Sequence, residues 1–131
     1  VASVVEVEVS KDGQVSLPRL DIAIDCGFVV HPERVRAQME GGAIMSLSNA
    51  LVGQVTFNQG RAQQSNFHDY QVLRIDAAPR ETHVHIVPSD ALPAGVGETA
   101  VPPVAPALCN AIFAATGKRI RALPVGNQLA T

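Results

Sequence analysis

The sequence predicts an α+β fold, a mostly antiparallel sheet of about four strands with two helices packed on it. Three observations lead there. Period-2 alternation of apolar and polar residues opens the chain and returns near residues 81–87. Residues 32–52 and 102–117 instead hold apolar positions at helical spacing. Hydrophobic residues make up 47% of the 131 and charged residues 17%, which excludes a disordered segment. At about 100–200 residues per domain, this is one domain or part of one.

The first element is a hairpin. Val5, Val7 and Val9 alternate with Glu6 and Glu8, the pattern of a half-buried strand. Lys11-Asp12-Gly13-Gln14 supplies the turn, with Gly13 free to take a positive φ. Val15 and Leu17 resume the pattern, then Leu20, Ile22 and Ile24 alternate with Asp21, Ala23 and Asp25. Pro18 lies inside that return strand and predicts an edge position or a bulge. Asp25-Cys26-Gly27 ends it. Taken alone, the hairpin is scaffold.

Residues 32–52 predict a helix, with Pro32 in its first turn and Gly53 just past its end. After Arg36 its only charge is Glu40, so most of its circumference is expected to be buried. Gln38, Gly41, Gly42 and Met45 share one face, with Met39, Ala43 and Leu47 on a neighbouring one. Two glycines within a helix cost about 1 kcal/mol each relative to alanine. Close approach of another backbone is the commoner reason to keep them, and a ligand is the alternative. The Gln38 amide, expected to be buried beside them, offers both a donor and an acceptor.

Residues 53–60 predict a strand, in which Val55 and Phe57 alternate with polar neighbours, closed by the turn Asn58-Gln59-Gly60. Residues 63–70 are polar with two aromatics and have loop character. Val72, Arg74 and Asp76 then alternate with Leu73 and Ile75. A last strand at 81–87 puts Thr82, Val84 and Ile86 on one face and His83, His85 and Val87 on the other, with Pro88 closing it. Gly95-Val96-Gly97-Glu98 is a flexible loop before the second helix. Pro102 and Pro103 suit that helix's first turn, Val104, Leu108, Ala111, Ile112 and Ala115 keep its spacing, and Gly117 caps it. Glu98 therefore lies near a helix N-terminus, where the dipole favours a carboxylate and the glycines leave room for a ligand. A solvated acid at a helix start is the plainer reading.

Composition excludes several functions. Ten Lys and Arg against twelve Asp and Glu give a net charge of −2, with no run of one sign. Neither a nucleic-acid footprint nor an anionic-membrane binder fits that balance. No stretch reaches the ~18 apolar residues of a membrane span, and no signal peptide opens the chain. Cys26 and Cys109 form neither a disulfide framework nor a zinc site. His83 and His85 share a strand face but have no third ligand in view. His68 and Asp69, adjacent in an extended segment, are expected to point apart. Cys109 reads as an inert helix thiol. Ser46 and Ser48 have no histidine at suitable spacing, and no Walker-type phosphate loop is present. A start at Val1, already in strand pattern, predicts a fragment or a processed chain.

Three stretches, in this order, resemble the C-terminal end of the molybdenum-binding large subunit of the xanthine oxidase family of hydroxylases. They are Asp25-Cys26-Gly27 with Pro32 downstream, Gln38-Met39-Glu40-Gly41-Gly42, and Gly95-Val96-Gly97-Glu98 before an Ala/Pro-rich helix. Gln64-Ser65-Asn66-Phe67-His68-Asp69-Tyr70 and Pro103-Val104-Ala105-Pro106-Ala107-Leu108 are similar to stretches of the isoquinoline 1-oxidoreductase β-subunit group within that family. The likeness spans nearly the whole chain. It implies that residues 1–131 are a C-terminal molybdopterin-binding subdomain, one fragment of a larger domain.

The resemblance further implies the chemistry. Such an enzyme hydroxylates an N-heterocycle or oxidises an aldehyde with water-derived oxygen, at a molybdenum held by a molybdopterin, here in the cytosine dinucleotide form. Glu98 stands at the position of the glutamate that removes the proton from the attacking hydroxide. Gln38 stands at the glutamine whose amide contacts the molybdopterin. Gly41 and Gly42 line the same site, and Gly97 brings the loop close to the metal. No metal ligand is carried over to this chain. The implied partners are the remainder of the large subunit, an iron–sulfur small subunit that takes the electrons, and a small-molecule substrate. The compartment, cytoplasmic or periplasmic, would be set by a signal upstream of Val1. One departure is Thr99, where the family commonly has Pro or Ser after the glutamate. The remaining cofactor and substrate segments are expected upstream, so the chain alone is expected to be inactive and free of cofactor. The rival expectation is a scaffold or interaction domain that keeps the fold without the cofactor.

Overall fold

The alternating valines of residues 2–9 and the return run after Gly13 pair as predicted. In the computed structural model, which describes residues 1–130, β1 (Ala2–Val9) and β2 (Val15–Ile24) form an antiparallel hairpin with Val5 opposite Leu20. Gly13 takes φ +79° in the turn, a conformation an L side chain adopts only with strain. The register slips between Glu6 and Glu8, whose partners are Arg19 and Ser16, so β2 carries one extra residue around Pro18. Of the two expectations for Pro18, the bulge is the one realised, because β2 is the central strand.

That central place reveals the main difference from the predicted sheet. β5 (Glu81–Ile86) pairs with β2 in parallel, from Arg19–Glu81 to Ile24–Ile86, giving a mixed three-stranded sheet of order β1-β2-β5. A parallel neighbour needs a long crossover, and here it contains the first helix. The predicted strand at 53–60 shrinks to β3 (Phe57–Asn58), paired only with β4 (Arg61–Ala62) in a separate hairpin. Outside that pair the Gln64 side chain takes the Thr56 N–H (2.7 Å), doing what a ladder would otherwise do. The alternation at 72–76 forms no strand. Leu73 N–H donates to Ser48 Oγ (2.9 Å), and Ile75–Ala77 make a single 3₁₀ turn.

Helix α1 (Pro32–Leu51) starts where Pro32 predicts, with His31 Nδ1 accepting from the Arg34 N–H. Its buried residues form a stripe: Val35, Met39, Ala43, Ser46, Leu47 and Ala50. Burial around most of its circumference is not observed, since Gln38, Gly41 and Met45 are exposed. The reason is architectural, because the sheet and the second helix cover α1 from one side only. Helix α2 (Val101–Thr116) buries Val104, Leu108 and Ile112 against β1 and α1. It ends at Gly117, φ +71°, whose N–H bonds the Phe113 carbonyl (2.8 Å).

The core between sheet and helices is aliphatic: Leu20, Ile22 and Ile24 from β2 meet Met39, Leu47, Leu108 and Ile112. The C-terminal tail closes its rim. Val125 and Gly126 donate to the Ala50 and Leu51 carbonyls (2.7 and 3.0 Å), and Leu129 packs its backbone against Gly13. No helix among the described residues is long and apolar enough to cross a membrane.

Candidate functional site

Two of the three motif stretches, far apart in sequence, meet along one side of α1, and the third anchors the loop between them. The Asp25-Cys26-Gly27 bend is fixed by Asp25 Oδ1, which accepts the Gly27 N–H (3.1 Å). Gly27 sits at φ +73° against the Ala91 and Leu92 carbonyls, where a side chain would collide. Phe28 N–H then donates to Ala91 O and Ala94 N–H to Cys26 O, each 2.9 Å. This bend is therefore the foundation of the loop that leads to Glu98.

From there the loop runs beside the second and third turns of α1. Gln38 Nε2 donates to the Gly97 carbonyl (3.3 Å). Thr99 Oγ1 donates to Met39 Sδ at 3.9 Å, a long contact typical of sulfur. At Gly42 a Cβ would lie 3.2 Å from the Ala100 Cβ. Glu98 itself is exposed, and its carbonyl accepts the Val101 N–H that opens α2 (2.9 Å). Glu98 thus sits three residues before a helix whose cap residue, Ala100, brings no side-chain bond of its own.

Two sequence expectations change here. Gln38 is exposed rather than buried, because none of the described residues covers that face of α1. The two glycines also separate. Gly42 serves close packing of α1 on the start of α2, the commoner explanation. A Cβ on Gly41 would meet nothing within 4 Å, so contact inside this chain does not explain it. The contacts of Thr99 with Met39 and of Ala100 with Gly42 were not foreseen. The one signal available was the cost of Gly41 and Gly42 within a helix, which needed a cause.

The other candidates are engaged elsewhere. His83 Nε2 faces Glu81 Oε2 (3.1 Å), and His85 Nε2 faces Asp21 Oδ1 (3.0 Å). Among the described residues no group of three or more His, Cys, Asp and Glu side chains is arranged to hold a metal ion. Hydrogen bonds from Arg19 and His85 hold the Asp21 carboxyl well below the usual carboxylate range. His68 and Asp69 do meet, at 3.6 Å, because their segment is a turn and not extended. Cys109 is half-buried, and burial pushes its thiol up, away from the reactive thiolate. Ser48 is used by the Leu73 N–H.

Comparison with known proteins places this geometry. Residues 1–79 match the family model described as molybdopterin cofactor-binding domain. The chain is 42% identical over 131 residues, 99% of its length, to isoquinoline 1-oxidoreductase subunit beta of Brevundimonas diminuta. It is 38% identical over 123 residues, 93% of its length, to the membrane-bound aldehyde dehydrogenase (pyrroloquinoline-quinone) of Gluconacetobacter polyoxogenes. It spans 17% and 16% of those relatives. Among solved structures, quinoline 2-oxidoreductase from Pseudomonas putida 86 superposes with a TM-score of 0.83 at 19% identity. That alignment covers 93% of this chain and 17% of that one, and it establishes the shared fold.

Proposed function

The chain belongs to the molybdopterin cofactor-binding domain family, and on that premise we propose that it forms one wall of the active site of a molybdenum-dependent oxidoreductase. Residues 1–131 are then the C-terminal subdomain of a large subunit. The reaction is hydroxylation of an N-heterocycle or oxidation of an aldehyde with oxygen from water, and the electrons leave to an iron–sulfur small subunit. The observation that supports this most is the bond from Gln38 to Gly97, which joins residues 59 apart. It brings an amide, a bare helix face and a carboxylate to one surface.

The residues suit a molybdopterin, here in its cytosine dinucleotide form. Gly41 offers helix surface without a side chain, and a Cβ there would fill open space. Gln38 is exposed and spends one N–H on Gly97, leaving its amide oxygen and second N–H for a pterin ring. Gly42 and Gly97 keep the flanking surface low. Bound there, the group would supply the redox chemistry, accepting the hydrogen and two electrons of the substrate C–H bond that the water-derived oxygen replaces. Glu98 supplies the base: its carboxylate takes the proton released as the water-derived oxygen bonds to the electron-poor carbon.

Replacing Glu98 in the complete enzyme tests this. Glu98→Gln keeps the shape but takes up no proton, so turnover falls by roughly 10²–10⁴-fold, the usual worth of general-base assistance. Molybdenum content and thermal unfolding stay at wild type. Full molybdenum content with normal turnover would leave Glu98 as a solvated acid at a helix start and remove it from the mechanism.

A further inference from the structure

We infer that α1 is the positioning element for Glu98, with Gln38 holding the Gly97 carbonyl on one side of it and Met39 the Thr99 hydroxyl on the other. The inference rests on Glu98 being the base, and it assigns Gln38 a task separate from any ligand contact. The Glu98 loop has little rigidity of its own. Gly95 and Gly97 bring no side chains, and a Cβ at either would touch nothing within 4 Å. After the Ala94–Cys26 bond, the next hydrogen bond from the body of the domain to this loop is the one from Gln38 to the Gly97 carbonyl.

The contacts then follow the helix in register. Gln38 holds residue 97, Met39 meets residue 99, and Gly42 receives residue 100. Residue 98 is skipped. Its neighbours are pinned to α1, while its own side chain remains exposed. A carboxylate on an untethered glycine loop would sample many positions. One whose flanking backbone is fixed is held ready, and misplacement of about 1 Å costs on the order of 10²-fold in rate. Thr99 also gains a role: it supplies both a hydroxyl for Met39 and a β-branched side chain that stiffens the backbone.

The test uses the complete enzyme, in loaded and metal-free forms, and reads amide hydrogen exchange together with steady-state kinetics. Gln38→Met keeps length and helix propensity but has no donor. Exchange at the Ala94 and Val101 amides, which bond the Cys26 and Glu98 carbonyls at the two ends of the loop, should rise about five- to tenfold, as loss of one hydrogen bond predicts, with peptides from β2 unchanged. In the loaded form kcat should fall about tenfold while KM stays in place, because the base is present but less often in position. Thr99→Val, which leaves Gln38 intact, should raise exchange at the Val101 amide and lower kcat less. Unchanged exchange in Gln38→Met overturns the tether, and a fall in kcat without it would mean that Gln38 acts on the ligand alone. Raised exchange in Gln38→Met alongside normal turnover in Glu98→Gln overturns the base and not the tether, so the two failures are distinct.

Discussion

Asp69 gathers the Ser65 N–H, the Asn66 N–H and the Ser65 hydroxyl, all within 2.9 Å. The backbone bonds from Asn66 and Ser65 are the main reason that its carboxyl is held down at about 2. Its folded pKa is depressed, so the order it gives the 65–69 turn is complete above the ordinary value of 3.8 and is lost as pH falls toward 2. The Ser65 and Asn66 amide resonances should therefore move together between about pH 4 and pH 2. Asp69→Asn should produce the acid-like spectrum at neutral pH. The glycine pair gives a second residue-level expectation. Gly41→Ala should leave the fold intact and raise helix stability by up to about 1 kcal/mol. Gly42→Val must push Ala100 aside and should cost about 1–3 kcal/mol in denaturant unfolding. In the complete enzyme Gly41→Val should lower molybdenum content at unchanged stability, which separates a ligand face from a packing face. The sequence distinguished neither glycine from the other. Helical spacing places a residue on a face, but only the partner element tells whether that face is covered.

At the scale of elements, what was legible followed from local chemistry. Pro32 and Gly53 bracket α1, and Pro102, Pro103 and Gly117 bracket α2, because caps act within a turn of the residue that carries them. The hairpin of β1 and β2 followed from valine alternation around Gly13. Partners distant in sequence were not legible. Nothing in Glu81–Ile86 announces that it joins Arg19–Ile24 in parallel, since alternation gives the buried face of a strand but not its neighbour or direction. For the same reason Val55 and Phe57 suggested a full strand that no sheet receives. The bond from Gln38 to Gly97 lies in this class, which is why the site was legible as two motifs and not as one surface. The buried faces of both helices carry the stability, so Leu47→Ala or Leu108→Ala, each removing a fully buried side chain, should cost about 2–5 kcal/mol in chemical denaturation.

For the whole molecule the uncovered surface matters most. Phe28, Val30, Phe67, Ile75 and Leu92 are 59–93% exposed, and the glutamine face of α1 is open. Under the proposed function the cofactor would draw contacts from many segments of the large subunit, of which this chain would bring the α1 face and the Glu98 loop. Purified alone, it should carry far less than equimolar molybdenum by elemental analysis and show no hydroxylase activity. Equimolar metal in the isolated chain would mean that these residues form a sufficient site by themselves.

The parallel pairing of β2 with β5 also bears on how the protein is made. As the polypeptide leaves the ribosome, β1 and β2 can pair at once, but the far edge of β2 must wait for residues 81–86. At about 5–20 residues per second those intervening residues take roughly 3–12 s to synthesise. Throughout that interval a strand bearing Leu20, Ile22 and Ile24, later the centre of the core, has one free edge, and α2 is not yet present to complete the core. Nascent chains stalled before residue 81 are therefore the form most open to chaperone capture, and those extended past α2 are the first able to seal the core.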